Sequence, residues 1–138
     1  MNIIIDTNIL ISALLKNSTT RRIIIECNER FFAPEAILDE IDKHMNMILR
    51  KSGMDKETFN KIISILLSYI ERVPTEEIMK NIEKARKIME KVDPDDVIFI
   101  AAALTKNAVI WSDDSDFQKQ SEIKVLKTKD IIRMIYRR

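Results

Sequence analysis

The fold of this chain is decided by its first eight residues, Met1–Asn8, which read MNIIIDTN. Three consecutive isoleucines at positions 3–5 are followed directly by a carboxylate, Asp6. An unbroken β-branched run is typical of a strand that is buried on both faces, because the strands of a parallel sheet are covered by helices on each side. Asp6 therefore lies at the carboxyl end of a predicted central strand, which is where open parallel sheets bind their ligands.

Acids also lie next to apolar runs at two later places in the chain. These are the segments Asp93–Asp96 (DPDD) and Ser112–Asp116 (SDDSD). Helix capping explains Asp93, but it does not explain Asp96, which adjoins a predicted helix that is apolar on every side. Capping of the next helix is also the simplest alternative for Asp6. The recurrence of acids at the edges of apolar runs favours a shared site.

Strand patterns and helix patterns alternate along the chain. Strands are predicted at 3–5, 30–33, 108–111 and 123–126, with a further short strand at 73–74. Helices are predicted at 9–16, 21–28, 34–52, 56–72 and 76–91, and from residues 94 and 128 onward. The predicted N-caps are Thr19 or Thr20, Asp55, Thr75, Asp93 and Thr128, and the predicted C-terminal stops are Gly53 and Asn107. This alternation predicts an α/β fold, a three-layer sandwich in which helices flank a parallel sheet of four or five strands, and we expect one domain spanning residues 1–138.

Composition and charge narrow the class of protein. With 138 residues, of which 46% are hydrophobic and 33% charged, the chain is long enough for a substantial core. Its 23 basic and 22 acidic residues leave a net charge of +1, so a polyanion would be held by a local basic patch or through bound cations. The single cysteine excludes an internal disulfide, the first residues lack the pattern of a secretion signal, and no apolar run approaches the about 20 residues of a membrane span. We therefore expect a cytoplasmic protein without membrane contact.

The acids would share one pocket if the strands predicted at 3–5 and 108–111 are neighbours. Asp6, Asp114 and Asp116 would then emerge at one sheet edge, which the N-terminus of the Asp96 helix can also reach. Two unit charges 4 Å apart repel by about 4 kcal/mol at an effective dielectric constant of 20, so such a cluster needs divalent cations or shared protons. Carboxylate oxygens select hard ions, Mg²⁺ or Mn²⁺, over zinc. This chemistry is typical of phosphoryl transfer at paired metals roughly 3.5 to 4 Å apart.

The helix predicted at 34–52 offers a further acid, but its periodicity does not identify which one. Glu40 and His44 lie one turn apart on one edge of the apolar stripe, and Asp42 lies on the other edge. The pattern leaves both acids open. For His44 a partly buried or surface position is preferred to a metal-ligand role, because only Glu40 supplies a partner at helical spacing.

Four segments of the sequence each contain an acid within a recognisable motif. They are Ile5–Ser12 (IDTNILIS), Pro34–Ile41 (PEAILDEI), Asp96–Leu104 (DVIFIAAAL) and Ser112–Phe117 (SDDSDF). In this order they resemble the motifs of the PIN-domain ribonuclease family, which includes VapC-type toxins and RNA-processing nucleases. The resemblance spans nearly the whole chain, and four motifs in the right order make a strong signal.

The resemblance implies the site of a metal-dependent endoribonuclease. It implies catalytic and metal-binding roles for Asp6, Glu40, Asp96 and Asp114, with Asp116 as an auxiliary metal ligand and Asn8 and Ser112 in support. It prefers Glu40 to Asp39 or Asp42. It also prefers Asp96 to Asp95. The implied cofactor is Mg²⁺ or Mn²⁺, the implied substrate is RNA, and the implied protein partner is an antitoxin or another protein.

Other functional classes match less of the sequence. Haloacid-dehalogenase phosphatases also place an Asp after an early strand, but they need a second acid where Asn8 stands. A phosphorylated receiver domain needs a late lysine after a strand, and Lys106 and Lys124 are poorly placed for that role. A PIN scaffold that binds RNA or a protein without cleavage is the non-enzymatic alternative. Many VapC-type members carry Asn where Asp114 stands, so a toxin and an RNA-processing nuclease both stay open.

Basic residues are clustered although the net charge is nearly zero. The clusters contain Arg21, Arg22, Arg50, Lys51, Arg133, Arg137 and Arg138. Part of this charge complements helix C-termini, and the rest predicts phosphate contacts if it flanks the acidic pocket. The helices between residues 56 and 91 carry more apolar and Met surface than one packed face needs, which predicts a homodimer or a partner-binding face, and we expect a dimer in solution.

Overall fold

The sheet of this protein consists of five parallel strands. The structure, a computed structural model, describes residues 1–15, 18–89 and 94–137. The strands are β1 (Asn2–Ile5), β2 (Arg30–Pro34), β3 (Ile70–Val73), β4 (Val109–Trp111) and β5 (Val125–Leu126). Their order is β3-β2-β1-β4-β5, so β1 is the central strand, as its apolar run predicts. Every neighbouring pair is parallel, and all five carboxyl ends therefore lie at one edge of the sheet.

Helices connect the strands and flank the sheet. Within the described ranges they are α1 (Thr7–Leu14), α2 (Thr19–Glu26), α3 (Ile37–Ser52), α4 (Lys56–Tyr69), α5 (Thr75–Met79), α6 (Ile82–Ile88), α7 (Pro94–Lys106) and α8 (Thr128–Tyr136), with a 3-10 helix at Ser115–Lys119. Helices α1 to α4 pack on one another, whereas α7 packs against β1, β2 and β4 and contacts α5 and α6. The predicted three-layer α/β sandwich is confirmed. No helix in the described ranges has the length and apolar character needed to cross a membrane.

The apolar run of β1 forms the centre of the hydrophobic core. Its three isoleucines are fully buried. Ile4 pairs with Phe32 of β2 on one side and with Ile110 of β4 on the other. Burial of one such side chain contributes roughly 1.5–3 kcal/mol relative to exposure, so β1 stabilises the sheet and specifies its register. Asp6, which follows at once, is therefore attached to the buried central strand of the sheet.

Helix α3 begins three residues later than predicted. Pro34 is the last residue of β2, where it pairs with Val73, and the helix starts at Ile37 after a turn. A proline is tolerated at this strand end because its fixed φ angle suits extended backbone. Both predicted helix stops are confirmed, since Gly53 and Asn107 have the left-handed conformation with φ of 73° and 49°.

The helix predicted at 56–72 ends at Tyr69, and β3 follows directly. Ile70 is part of the sheet rather than of the helical stripe, because it pairs with Phe31 of β2 and is buried. Pairing with a neighbouring strand outweighs the local helical periodicity here. The predicted N-cap of this helix is confirmed, since the Asp55 carboxylate accepts the N–H of Thr58 at 2.7 Å.

The helix predicted at 76–91 is divided into α5 and α6. At Lys80 and Asn81 the backbone N–H groups donate to residues three positions earlier, as in a tightened last turn. The Asn81 amide donates to Thr105 Oγ1 of α7 at 2.9 Å. This bond connects the turn between α5 and α6 to α7. Residues 90 and 91 and the predicted cap Asp93 lie outside the described ranges.

Three threonines predicted as N-caps are instead the first residues of their helices, namely Thr19, Thr75 and Thr128. In each case the preceding residue has the extended backbone that an N-cap needs. The cap of α2 is Ser18, whose hydroxyl oxygen accepts the N–H of Arg21 at 3.1 Å. Ser and Thr are both good N-caps, so the sequence pattern does not separate neighbouring candidates.

Candidate acidic metal site

The predicted site residues come together at the carboxyl edge of the sheet. Asp6 follows β1, Glu40 lies near the start of α3 after β2, and the segment Ser112–Asp116 follows β4. Helix α7 leads into β4 and runs opposite to the strands, so its first turn brings Asp96 to the same edge. Because β1 lies between β2 and β4, Asp6 is flanked by acids from both sides.

These elements surround one pocket of about 430 Å³. Its polar lining includes Asp6, Asn8, Glu40, His44, Asp96 and Asp114. The four acids predicted as catalytic therefore share a pocket with Asn8, which was predicted as a supporting residue. Among the described residues no lysine or arginine lines this pocket. The pocket is therefore acidic.

Asp6 is the most buried of the predicted acids, with 4% of its surface exposed. Its Oδ1 accepts the N–H of Ile9 at 2.8 Å and so caps α1. Its Oδ2 accepts a hydrogen bond from the Ser112 hydroxyl. Capping therefore occurs, but it uses one oxygen only. Hydrogen bonds to both oxygens hold the carboxylate in a fixed orientation at the wall of the pocket.

Burial raises the pKa of Asp6 to about 6 from its ordinary value of 3.8. Loss of hydration of the charged carboxylate is the largest cause, and the negative charges of Asp114 and Asp113 raise the pKa further. The hydrogen bonds from Ser112 and from the N–H of Ile9 lower it, but they do not offset the burial. A cation bound beside Asp6 would stabilise its charged form.

Ser112 joins Asp6 to the acids that follow β4. This serine is fully buried, and its hydroxyl oxygen also accepts the N–H of Asp114 at 3.0 Å. Asp114 Oδ1 in turn accepts the N–H of Asp116 at 2.9 Å and caps the 3-10 helix. A continuous series of hydrogen bonds therefore sets the positions of three acids relative to one another.

Three carboxylates form a close group at this edge of the sheet. One oxygen from each of Asp96, Asp114 and Asp116 lies within 4.8 Å of the other two. All three residues are partly exposed. Such spacing allows the carboxylates to bind a cation together, and their like charges repel one another without it. Asp6 and Glu40 line the pocket outside this close group.

The rotation of α3 separates the acids that the helix pattern left open. Glu40 lines the pocket, whereas Asp39 and Asp42 are exposed and do not line it. His44 is partly buried, as predicted, and it also lines the pocket one turn after Glu40. The structure thus places Glu40, rather than Asp42, on the side of α3 that faces the other acids.

Lys119 and Lys43, both in the described part of the chain, contact predicted site acids. Lys119 Nζ lies 2.9 Å from Asp116 Oδ1, and this hydrogen bond raises the pKa of the lysine. Lys43 Nζ lies 3.2 Å from Glu40 Oε1. The clustered basic residues were expected to contact phosphates only if they flank the pocket, and those that the structure describes do not line it. They are Arg21, Arg22, Arg50, Lys51, Arg133 and Arg137, and Arg138 lies outside the described residues. The lysines that contact site acids, Lys43 and Lys119, are therefore not among the basic clusters recognised in the sequence.

Sequence reasoning did not predict the contacts of Asp113 and Thr128 that hold the acidic segment in place. The Asp113 carboxylate accepts the N–H of Thr128 at 2.8 Å and its hydroxyl at 2.6 Å. Thr128 Oγ1 also accepts the indole N–H of Trp111 at 2.9 Å. These bonds connect the end of β4 to the start of α8. They depend on β4 and β5 being adjacent, which no local pattern shows.

The fold and the site define an α/β domain whose five-stranded parallel sheet has an acidic pocket at its carboxyl edge. A model of the PIN domain family matches residues 4–133. Because the match extends over almost the whole chain, the chain belongs to the PIN domain family.

The same fold is found in a solved structure. The chain is similar, with a TM-score of 0.67, to a chain in the crystal structure of VapBC2 from Rickettsia felis. That complex was crystallised bound to a DNA fragment from its own promoter. The similarity covers 92% of this chain and 98% of that chain, at 16% sequence identity. At this identity the similarity concerns the fold alone. No curated protein sequence matches the chain.

Proposed function

We propose that residues 1–138 form a single nuclease domain, a metal-dependent endoribonuclease that hydrolyses RNA phosphodiester bonds. The observation that carries this proposal is the close group of Asp96, Asp114 and Asp116, because the first two of these acids line the same pocket as Asp6 and Glu40. Phosphoryl transfer depends on positioning and on neutralising negative charge, and clustered carboxylates suit both when they bind cations. Membership of the PIN domain family supports the same activity.

The residues present fit a hard divalent cation, Mg²⁺ or Mn²⁺. Within the described part of the chain, the close group offers carboxylate oxygens only, without histidine or cysteine. The residues that would hold the ions are Asp6, Glu40, Asp96, Asp114 and Asp116. When bound, the ions supply the positive charge that activates a water and stabilises the leaving oxygen.

The protein's own side chains supply orientation. Asp6 is held at both oxygens, so it presents a fixed carboxylate to the pocket. Glu40 reaches the pocket from α3, on the opposite side from the acids after β4, where it can position a water or accept its proton. Asn8 is exposed at the pocket and offers an amide donor to a phosphate oxygen.

Cleavage of a labelled single-stranded RNA tests the proposal. The protein is expected to cut the RNA in Mg²⁺ or Mn²⁺ and to stop when EDTA is added. Glu40→Gln is expected to lower the rate roughly 100-fold, because an amide can neither accept a proton nor offset the charge of a cation. The rate is measured from products resolved on a denaturing gel.

Asp42→Asn is the matched control for Glu40→Gln. Asp42 lies two residues further along α3, is exposed and does not line the pocket, so its variant should cleave like the parent. An equal loss in both variants would refute the role of Glu40. If the parent itself does not cleave with either ion, the non-catalytic PIN scaffold that binds RNA or a protein becomes the better description.

Two biological roles fit this activity, the toxin of a toxin–antitoxin pair and an RNA-processing nuclease. The fold similarity to a chain of the VapBC2 complex supports the first role, and with it an antitoxin or another protein partner. The cytoplasmic location predicted from the single cysteine goes with either role.

A homodimer is a further prediction. Ile65 and Tyr69 lie one turn apart on α4 and are 50% and 45% exposed. Neighbouring exposed apolar side chains are typical of a contact with a second copy. Sedimentation at micromolar concentration is expected to show a dimer for the parent and a monomer for Ile65→Lys. A monomeric parent would contradict this prediction.

A further inference from the structure

A second cavity, of about 460 Å³, lies next to the acidic site. Its charged lining residues are Lys84, Lys87, Lys119 and Glu122. We call it the lysine groove. With three lysines and one glutamate, the groove has the opposite charge to the acidic pocket, which no described lysine or arginine lines.

The lysine groove is connected to the acidic site in two ways. Lys119 lines the groove, and its ammonium group lies 2.9 Å from the carboxylate of Asp116, which belongs to the close acidic group. Lys84 and Lys87 lie on α6, which packs against α7, the helix that carries Asp96. A nucleic-acid strand that leaves the acidic site on the β4 side would therefore meet these lysines next.

The basic residues of α6 differ in whether they form an ion pair and in whether they line the groove. Arg86 forms an ion pair with Glu83 and does not line the groove. Lys84 and Lys87 are exposed, line the groove and form no ion pair in the described part of the chain. Three residues apart, they lie on the same side of α6. Their charge is available to a ligand, whereas elsewhere on the surface a lysine such as Lys61 pairs with an acid.

We propose that the lysine groove binds backbone phosphates of the RNA on one side of the bond that the acidic site cleaves. This inference rests on the proposed function and adds the direction in which the substrate leaves the site. The lysines bind phosphate as point charges, so they position the strand without reading its sequence. The groove also explains how a protein with a net charge of +1 can hold a polyanion beside an acidic pocket.

The double variant Lys84→Gln/Lys87→Gln tests the inference. In the otherwise unchanged protein, KM for RNA is expected to rise roughly tenfold while kcat stays the same. Affinity is measured separately by fluorescence anisotropy of a labelled RNA with Mg²⁺, in an Asp6→Asn background that blocks cleavage. The logarithm of affinity should fall less steeply with the logarithm of salt concentration, by a slope difference of about 1.4 for two phosphate contacts on a single strand.

Two further variants separate phosphate binding from a structural effect. Lys84→Arg/Lys87→Arg keeps both charges and should keep parental affinity. Lys61→Gln removes one exposed lysine from α4, away from the groove, and should change neither affinity nor slope. Unchanged affinity in the glutamine double variant would overturn the inference even if the parent cleaves RNA. RNA binding that depends on the lysines in a protein that never cleaves would instead overturn the proposed function and leave the groove standing.

Discussion

Asp6→Asn is expected to stabilise the metal-free protein and to abolish RNA cleavage. Burial raises the pKa of Asp6 to about 6, which means that the folded state disfavours the charged carboxylate at neutral pH. The difference from the ordinary value of 3.8 corresponds to about 3 kcal/mol of lost stability at pH 7.5. Asparagine is neutral and almost as good an N-cap, so it removes most of this penalty. It also removes a charge that the bound cations require.

The pH dependence of the free energy of unfolding shows whether the buried Asp6 carboxylate destabilises the folded protein. In EDTA, the free energy of unfolding of the parent should decrease as the pH rises from about 4 to about 6, because the unfolded chain releases the Asp6 proton before the folded chain does. Well above pH 6 both states are ionised and the Asp6 contribution becomes constant. Asp6→Asn should lack this decrease, so the gain over the parent should appear between pH 4 and 6. Urea unfolding at a series of pH values measures it.

Asp55→Asn is the matched control for this comparison. Asp55 also accepts the N–H of the residue three positions later, but it is fully exposed and this hydrogen bond lowers its pKa. Its replacement should therefore give no gain in stability at neutral pH. Marked destabilisation by Asp6→Asn would show that capping of α1 outweighs the cost of the buried charge, and would refute the prediction.

Divalent cations are expected to raise the melting temperature of the parent in a concentration-dependent way. Ligands that bind only the folded state stabilise it by about 2.7 kcal/mol at 100 times their dissociation constant, which for a domain of this size is on the order of 10 °C. Asp114→Asn should lose most of this shift, because Asp114 belongs to the close acidic group and lines the pocket. Thermal melts with increasing Mg²⁺ or Mn²⁺ measure the shift without reference to RNA cleavage.

Asp39→Asn controls for the general effect of removing one negative charge. Asp39 is an exposed acid on α3 that does not line the pocket, so this variant should keep the parental response to both ions. If millimolar Mg²⁺ and Mn²⁺ leave the parent's melting temperature unchanged, the acids do not form a metal site. An equal response in the Asp39 and Asp114 variants would remove Asp114 from it.

The central strand and its acid could be predicted from sequence because their signal is local. Three adjacent isoleucines are typical of a strand covered on both faces, and the alternation of strands and helices favours a parallel sheet. The carboxyl ends of parallel strands meet at one edge, so the clustering of Asp6 and Asp114 followed from the same pattern. Gly53 and Asn107 were predictable helix ends for an equally local reason, since they adopt the left-handed conformation easily.

Other features were decided only by contacts between distant parts of the chain. Ile70 continues a helical pattern, yet it forms strand β3 because Phe31 lies beside it in the folded sheet. The break between α5 and α6 lies at Asn81, where the side chain of this residue bonds to Thr105 of α7. At Ile70 a tertiary contact outweighs a local preference of a few tenths of a kcal/mol per residue.

Some features of the site could likewise be predicted from sequence, and others were decided only by the tertiary structure. The sequence determined that acids follow the strands, and the resemblance to the family motif selected Glu40. Packing sets the rotation of α3, which turns Glu40 rather than Asp42 toward the pocket. The burial that raises the pKa of Asp6 and the hydroxyl of Ser112 that joins two strand ends arise only when β1 and β4 are side by side. The lysine groove has the same origin, because Lys84 and Lys119 are 35 positions apart and meet only where α6 packs beside the acidic edge. Charged residues that are distant in sequence become neighbours in the folded chain, and no local pattern specifies which of them will meet.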